Sequence, residues 1–298
     1  MRRSSRLFVA AAAAGLAGFA AREVHAAPCS QLTNPVYGAG GSAFTPTFQV
    51  VAPVLLRANP PITLVYQDPS ACDGYGRFGD SPQPSLTGTA RFWDASGTEQ
   101  SCTIETSENI KAQFSTMGNS IALCPGRTLA SDIRDFEGPV QTVNVIVPAG
   151  SSESSISAQA LYHIFGLATP GQVGPWGDRR YLVKRRAGSF VHAFVAQAAG
   201  LPVESFIADT EVTTNQATLV EVKRIGALSA AALQGALGYV SGPNAEADDG
   251  VRTLAYQHVG QTCGYWPNST ENSRDKANVR NGQYYLWASN HFFARVDG

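Results

Sequence analysis

The sequence predicts an α/β protein in two lobes, on three observations. Short β-branched runs alternate with Ala-rich helical stretches, long polar connections separate them, and the chain is long enough for two cores. The first 27 residues stand apart from this pattern. Arg2, Arg3 and Arg6 precede an apolar run over residues 7–20, and His25-Ala26-Ala27 offers small residues for cleavage, the layout of an export leader. The run is too short to span a bilayer well, and Cys29 follows Ala-Pro instead of the Leu-small-small sequence of a lipoprotein signal. Without residues 1–27 the net charge moves from −1 to −4, so neither nucleic acid nor a membrane surface is an expected partner.

The elements follow in order. Residues 34–43 read as a Gly-rich loop, and 47–56 as a helix stopped by Asn59-Pro60-Pro61. Residues 62–66 are a β-branched strand, and 67–87 a polar loop longer than most connections within a domain. Residues 90–93 and 102–104 make a hairpin turned by Asp94-Ala95-Ser96-Gly97. The clearest strand is 141–147, followed by a helix over 154–165 that Gly166 stops. Residues 181–183 form a buried strand leading to a helix over 190–199, closed by Gly200 and Pro202. A helix over 230–237, a strand at 238–240, and strands at 253–256 and 284–287 complete the pattern.

The joint before the helix at 190–199 holds the candidate chemistry. Ser189 falls at its N-cap, with Arg185 four residues earlier. Free N–H groups, the positive end of the helix dipole and a guanidinium then converge, which holds an oxyanion without a metal. GAGGSAF, residues 38–44, is a second flexible glycine run far away in sequence, so a cleft is expected between the two. The same local pattern also describes an ordinary capped helix with solvated arginines.

No GxSxG elbow, GxGxxG or phosphate-loop lysine occurs. His163, His192, His258 and His291 read as packing or surface histidines, and Glu246, Asp248 and Asp249 as a solvated turn without calcium-loop spacing. Tyr265, Trp266, Tyr284, Tyr285 and Trp287 read as strand packing. No catalytic residue, metal or cofactor is expected. Five cysteines in an exported chain give two disulfides and a spare thiol. Cys72 and Cys102 flank a loop-rich stretch and are the expected pair.

Six segments, in order over most of the chain, resemble the phosphate-binding component of bacterial ABC importers, a family of periplasmic binding proteins of type II. They are GAGGSAF, ITLVYQDPSACDGY, SISAQALYHIFG with Trp176 after it, KRRAGSFVHAF, GALGYV, and GQTCGYWP with KANVRNGQYYLW. The resemblance implies a two-lobed α/β fold with mixed sheets flanked by helices and hinge crossovers near 138–143 and 240–252. Lobe I would hold residues 28–138 and 252–298, and lobe II residues 139–251. A small phosphate-like oxyanion would bind between the lobes, at Ser42, Ala43, Phe44, Ser70, Asp73 and Asn119 on one side and Arg185 and Ser189 on the other. The implied protein is a periplasmic or secreted monomer, not an enzyme, with no cofactor and an ABC transporter permease as partner.

The departures from the family pattern are specific. Its Gly-Thr falls on Phe190 and Val191, which removes a hydroxyl and adds bulk. Its proton-accepting aspartate falls within residues 115–120, where Asn119 is the nearest stand-in. Asp73 adds a negative charge in the phosphate loop, Ser42-Ala43 replaces Ala-Thr, and the chain stops at Gly298 before the family's usual terminal helices. The alternative is a degenerate relative serving as an extracellular interaction or surface protein. A cleft filled by Phe190 or Asp73 would point that way.

Overall fold

The computed structural model describes residues 26–167 and 173–296, so the expected leader lies outside it apart from Ala26 and Ala27. The first part of the chain carries β1 (Pro35–Gly40), α1 (Thr45–Leu56), β2 (Thr63–Gln67), α2 (Ala71–Gly79), β3 (Gly88–Trp93), β4 (Glu99–Ile104) and β5 (Phe114–Met117). β1 lies parallel between β2 and β5, while β3 and β4 form the expected hairpin and extend the sheet antiparallel from β2. Asp94 closes the hairpin turn by accepting from the N–H groups of Ser96 and Thr98.

β6 (Ile133–Pro148) then runs 16 residues out of this part and into the next. After it come β7 (Ser155–Ser157), α3 (Ala158–Tyr162), β8 (Val183–Arg185), α4 (Phe190–Ala199), β9 (Thr210–Val212) and α5 (Asn215–Gly226). The remainder is α6 (Ala230–Gly235), β10 (Gly238–Ser241), α7 (Gly242–Glu246), β11 (Val251–Thr253), β12 (Ala255–Gln257), α8 (Ala277–Arg280) and β13 (Trp287–Arg295). The first part of β6 pairs with β13, and its last residues pair with β10 and β11. From Gln141 to Pro148 every residue of β6 is buried, because both faces are covered. Val143, Val145 and Val147 join a core with Leu161 and Val195, and Ile146 one with Leu219, Val222 and Ile225.

The chain regains the first part later than the expected crossing at 240–252. β12 pairs with β7, Tyr256 donates to Ala198 O, and Lys276 pairs with Glu246, so residues 254–283 pack with the segment after β6. The return lies at residues 284–287, where Leu286 O accepts from Val143 N at 2.8 Å and Tyr284 Oη donates to Val143 O at 2.7 Å.

Other expectations change as well. The Gly-rich loop at 34–43 contains β1, and its glycines serve close packing: a Cβ on Gly74 of α2 would come within 2.3 Å of the Gly40 backbone. The polar loop at 67–87 contains α2, which buries Ala71, Gly74, Tyr75 and Phe78 at helical spacing. Cys72 is bonded to Cys124 and Cys102 to Cys29, while Cys263 is free and exposed. The expected Cys72–Cys102 bridge fails because α2 packs on β5, just ahead of Cys124. Cys102 instead lies beside the amino-terminal segment, where Thr103 N donates to Ala27 O. Among the described residues no helix is long and apolar enough to cross a membrane.

Candidate functional site

The helix of the joint forms over the expected residues 190–199 with Ser189 at its N-cap. The strand, β8, lies two residues later than the expected 181–183 and ends at Arg185, because residues 179–181 form a 3-10 turn. Gly200 closes the helix at a φ of 72°, a left-handed conformation that costs glycine little. The side chain of Ser189 makes no cap hydrogen bond, so the first-turn N–H groups of α4 keep their donor capacity. Arg185 is 3 % exposed. Its guanidinium donates to Asn215 Oδ1 at 2.6 Å and to Thr213 O at 2.8 Å, while Nε has no partner.

Among the described residues no carboxylate pairs with this cation. Burial brings its pKa from 12.5 down to about 10, so it stays charged at neutral pH. A buried guanidinium with an idle donor, and only the more distant charge of Asp68 acting on it, favours an incoming anion. Its position is set from behind. Arg185 N donates to Tyr239 Oη at 3.2 Å, and Tyr239 contacts His192 Nδ1. His192 Nε2 lies 2.9 Å from Val203 O, and burial lowers the histidine's pKa. His192 is therefore a packing histidine, neutral at physiological pH, as expected from sequence.

A small cavity opens beside Arg185. Its walls are Gly41, Ser42, Ala43, Ser70 and Ala71 on one side and Arg185, Ser189, Phe190, Val191 and Asn215 on the other. Five of the eight sequence-predicted site residues thus meet: Ser42, Ala43, Ser70, Arg185 and Ser189. Three do not. Phe44 is buried against Phe48 and Phe292, and Asn119 accepts from the N–H of Ser120. Asp73, in the first turn of α2, holds its carboxylate against Ser70 and Arg186 outside the cavity wall. Sequence reading missed Asn215 because its helix, α5, was not foreseen. Its only signal is Thr214, which caps the helix by accepting from Ala217 N.

The cleft is shut. Asn215 N donates to Ser42 Oγ at 3.3 Å, Cys72 N donates to Gly188 O at 3.3 Å, and Arg186 pairs with Asp73. Asp73 also accepts the hydroxyl proton of Ser70 at 2.8 Å, so neither Asp73 nor Ser70 is idle. The cavity measures about 10 Å³, room for a single water. Phe190 limits it from one side. Its ring fills the place where a Cβ on Gly118 would come within 2.4 Å, with Gln141 alongside.

A second carboxylate lies near. Asp68, at the end of β2, takes two hydrogen bonds from Arg91, both 2.9 Å long. Burial raises its pKa and the adjacent Arg91 cation pulls it back. Among the described residues no cluster of His, Cys, Asp and Glu is arranged to hold a metal.

No family model matches the chain, and no curated protein does. Solved structures do. A Clostridium perfringens protein assigned as a phosphate ABC transporter substrate-binding protein, with bound phosphate, superposes with a TM-score of 0.59 at 12% identity. The match covers 89% of this chain and 87% of that one. An ABC-type phosphate transport receptor from Vibrio cholerae gives 0.52 at 13% identity, covering 89% and 88%. The chain has the two-lobed fold of type II periplasmic binding proteins.

Proposed function

We propose that the chain is an exported, non-enzymatic solute-binding protein that holds a small phosphate-like oxyanion between its lobes and delivers it, as a monomer, to an ABC permease. One observation carries this reading: Arg185 is buried without a carboxylate, its Nε is idle, and it stands beside the uncapped first turn of α4. Two disulfides and the leader pattern support export, and the two similar structures are named for phosphate transport. The lobes we propose are residues 28–138 with 284–298, and 139–283, since the pairings of β12 and Lys276 support moving 252–283 out of the first lobe.

Phe190 favours a second reading. Its ring occupies the side of the cavity where the family's glycine would leave room, as expected of a relative that has given up its transport ligand and serves as an interaction protein. Calorimetric titration of the mature chain with phosphate, sulfate, arsenate and a panel of sugars separates the two. Oxyanion binding that Arg185→Ala weakens ten- to a hundredfold supports the first reading. Binding that ignores Arg185→Ala puts the site elsewhere, and no response to any oxyanion leaves the interaction protein.

A further inference from the structure

The water-sized cavity at Arg185 has a much larger neighbour. A cleft of about 530 Å³ lies between α1 and the β3–β4 hairpin on one side and α5 with α7 on the other. Ser42 lines both spaces, and Thr214 and Gln216 of the larger cleft flank Asn215 of the smaller one. The seam between them is therefore the 3.3 Å contact from Asn215 N to Ser42 Oγ. This is a long bond between neutral groups, the kind most easily exchanged for a better partner.

The cavity has one direction in which to grow. On the α4 side Phe190 and Val191 are fully packed, and Phe190 is wedged against Gly118 and Gln141. Moving a buried aromatic ring out of a close-packed core is costly. A tetrahedral anion needs several times the space of a water, and that space is available across the seam, toward the larger cleft. An anion seated on Arg185 would then remain open on that side, whereas a ligand consisting of the anion alone needs no such opening.

The chemistry of the larger cleft describes what would fill it. Its charges are already matched: Arg91 holds Asp68 and lies 3.5 Å from Glu99, and Asp248 holds Lys223. The groups left are hydroxyls and carboxamides, chiefly Thr45, Gln49, Thr214, Gln216 and Asn244. Such a wall suits an uncharged, hydroxyl-rich group and gives little to a second anion or an alkyl chain.

We propose that the ligand is a phosphate monoester of a small polyol or sugar, its phosphate on Arg185 and its hydroxylated part in the cleft between α1 and α5. This rests on the oxyanion reading above and adds the substrate class to it. Opening the Asn215–Ser42 seam admits the ester linkage, and Gln49 and Gln216 then bind the hydroxyls.

The test is titration of the full mature chain with inorganic phosphate, glycerol 3-phosphate, glucose 6-phosphate and glucose, repeated with Gln49→Ala/Gln216→Ala. Both glutamines are exposed, so their removal leaves the fold intact. At least one ester is expected to bind about tenfold or more tighter than phosphate, with glucose silent. The double variant should lose about tenfold for that ester and less than twofold for phosphate, as expected for two lost neutral hydrogen bonds. Phosphate binding as tightly as both esters, or equal loss for ester and phosphate in the variant, overturns the ester proposal and leaves the oxyanion site standing. Silence from phosphate and both esters overturns the two together.

Discussion

The two walls of the cleft are built on opposite plans. On the wall from the first part of the chain the polar groups are committed: Asp68 to Arg91, Ser70 to Asp73, and Tyr66 to Thr116. A disulfide fixes Cys72 in the first turn of α2. On the facing wall Arg185 keeps an idle Nε, Ser189 leaves the first turn of α4 uncapped, and among the described residues no disulfide is present. The difference separates bracing from binding. A guanidinium holding two carboxylates, like Arg91, is part of the structure, and one holding none has capacity for a ligand.

The largest effect should come from removing the brace. Cys72→Ser/Cys124→Ser frees a cross-link spanning 52 residues, worth about 4 kcal/mol on the chain-entropy model. Urea unfolding should show that loss. Mass mapping of the unreduced protein should show Cys72–Cys124 and Cys29–Cys102 peptides, with Cys263 open to alkylation. A Cys72–Cys102 peptide would refute this pairing.

Next in size is Arg91→Ala, which leaves Asp68 without its cation. Breaking a mostly buried pair should cost about 2–3 kcal/mol, below the fully buried range because Arg91 is partly exposed. Without Arg91, the largest opposing influence on desolvated Asp68 is gone, leaving only a backbone hydrogen bond and the more distant Arg185 to lower its pKa. That pKa therefore rises further above the unfolded value. Such a group contributes stability below its unfolded pKa and loses it as pH rises. The variant's deficit should therefore be full near about pH 7 and shrink toward about pH 4. A deficit that does not change with pH would mean that the lost packing of Arg91, and not its charge, matters.

Arg185→Lys probes the facing wall. A lysine keeps the charge but loses the fork that reaches Asn215 and Thr213, and its buried ammonium has a lower pKa. Oxyanion affinity should fall about tenfold near neutrality and drop further as pH rises to about 9. Wild-type affinity should hold steady over that range, since Arg185 titrates at about 10. Titrations with sulfate, which stays a dianion across that range, decide it. A wild-type affinity that falls before pH 9 would show that the binding cation is another residue.

The wall that carries Arg185 was more legible in the sequence than the bracing one, and the reason is local. β8, Ser189 and α4 follow from an apolar run, a capping residue and Gly200, all within about twenty residues. α2 was hidden because four of the nine residues in ACDGYGRFG are glycine or aspartate, which read as loop. Those glycines follow from tertiary packing, as the approach of Gly74 to Gly40 shows, and no local rule reveals it. The disulfide partners depend on the same packing. So does Asn215, which reaches the cavity from a helix 30 residues beyond Arg185. The resemblance of scattered segments fixed the fold class, while the consequence of Phe190 needed Gly118 and Gln141 placed opposite it.

The smallest effect concerns the contact between the walls. Asp73 and Arg186 join them through an ion pair whose side chains are 52% and 31% exposed, so it adds well under about 1 kcal/mol to closure. Asp73 nevertheless works against an anion twice over. Its charge lies beside the cavity, and it takes the Ser70 hydroxyl proton that a ligand oxygen could otherwise accept. In Asp73→Asn the charge is gone, and Ser70 Oγ still caps α2 by accepting from the N–H of residue 73. The Ser70 hydroxyl, held only by a neutral carboxamide, turns more readily to a ligand in the cavity. Arg186 is released as well and adds positive potential at the rim. These changes all favour the anion, so phosphate affinity should rise about two- to fivefold while the unfolding free energy stays within about 0.5 kcal/mol. Calorimetry alongside urea unfolding measures both. A loss of affinity would show that the Asp73–Arg186 pair is the latch that holds the walls around the ligand, making the first wall part of the binding apparatus after all.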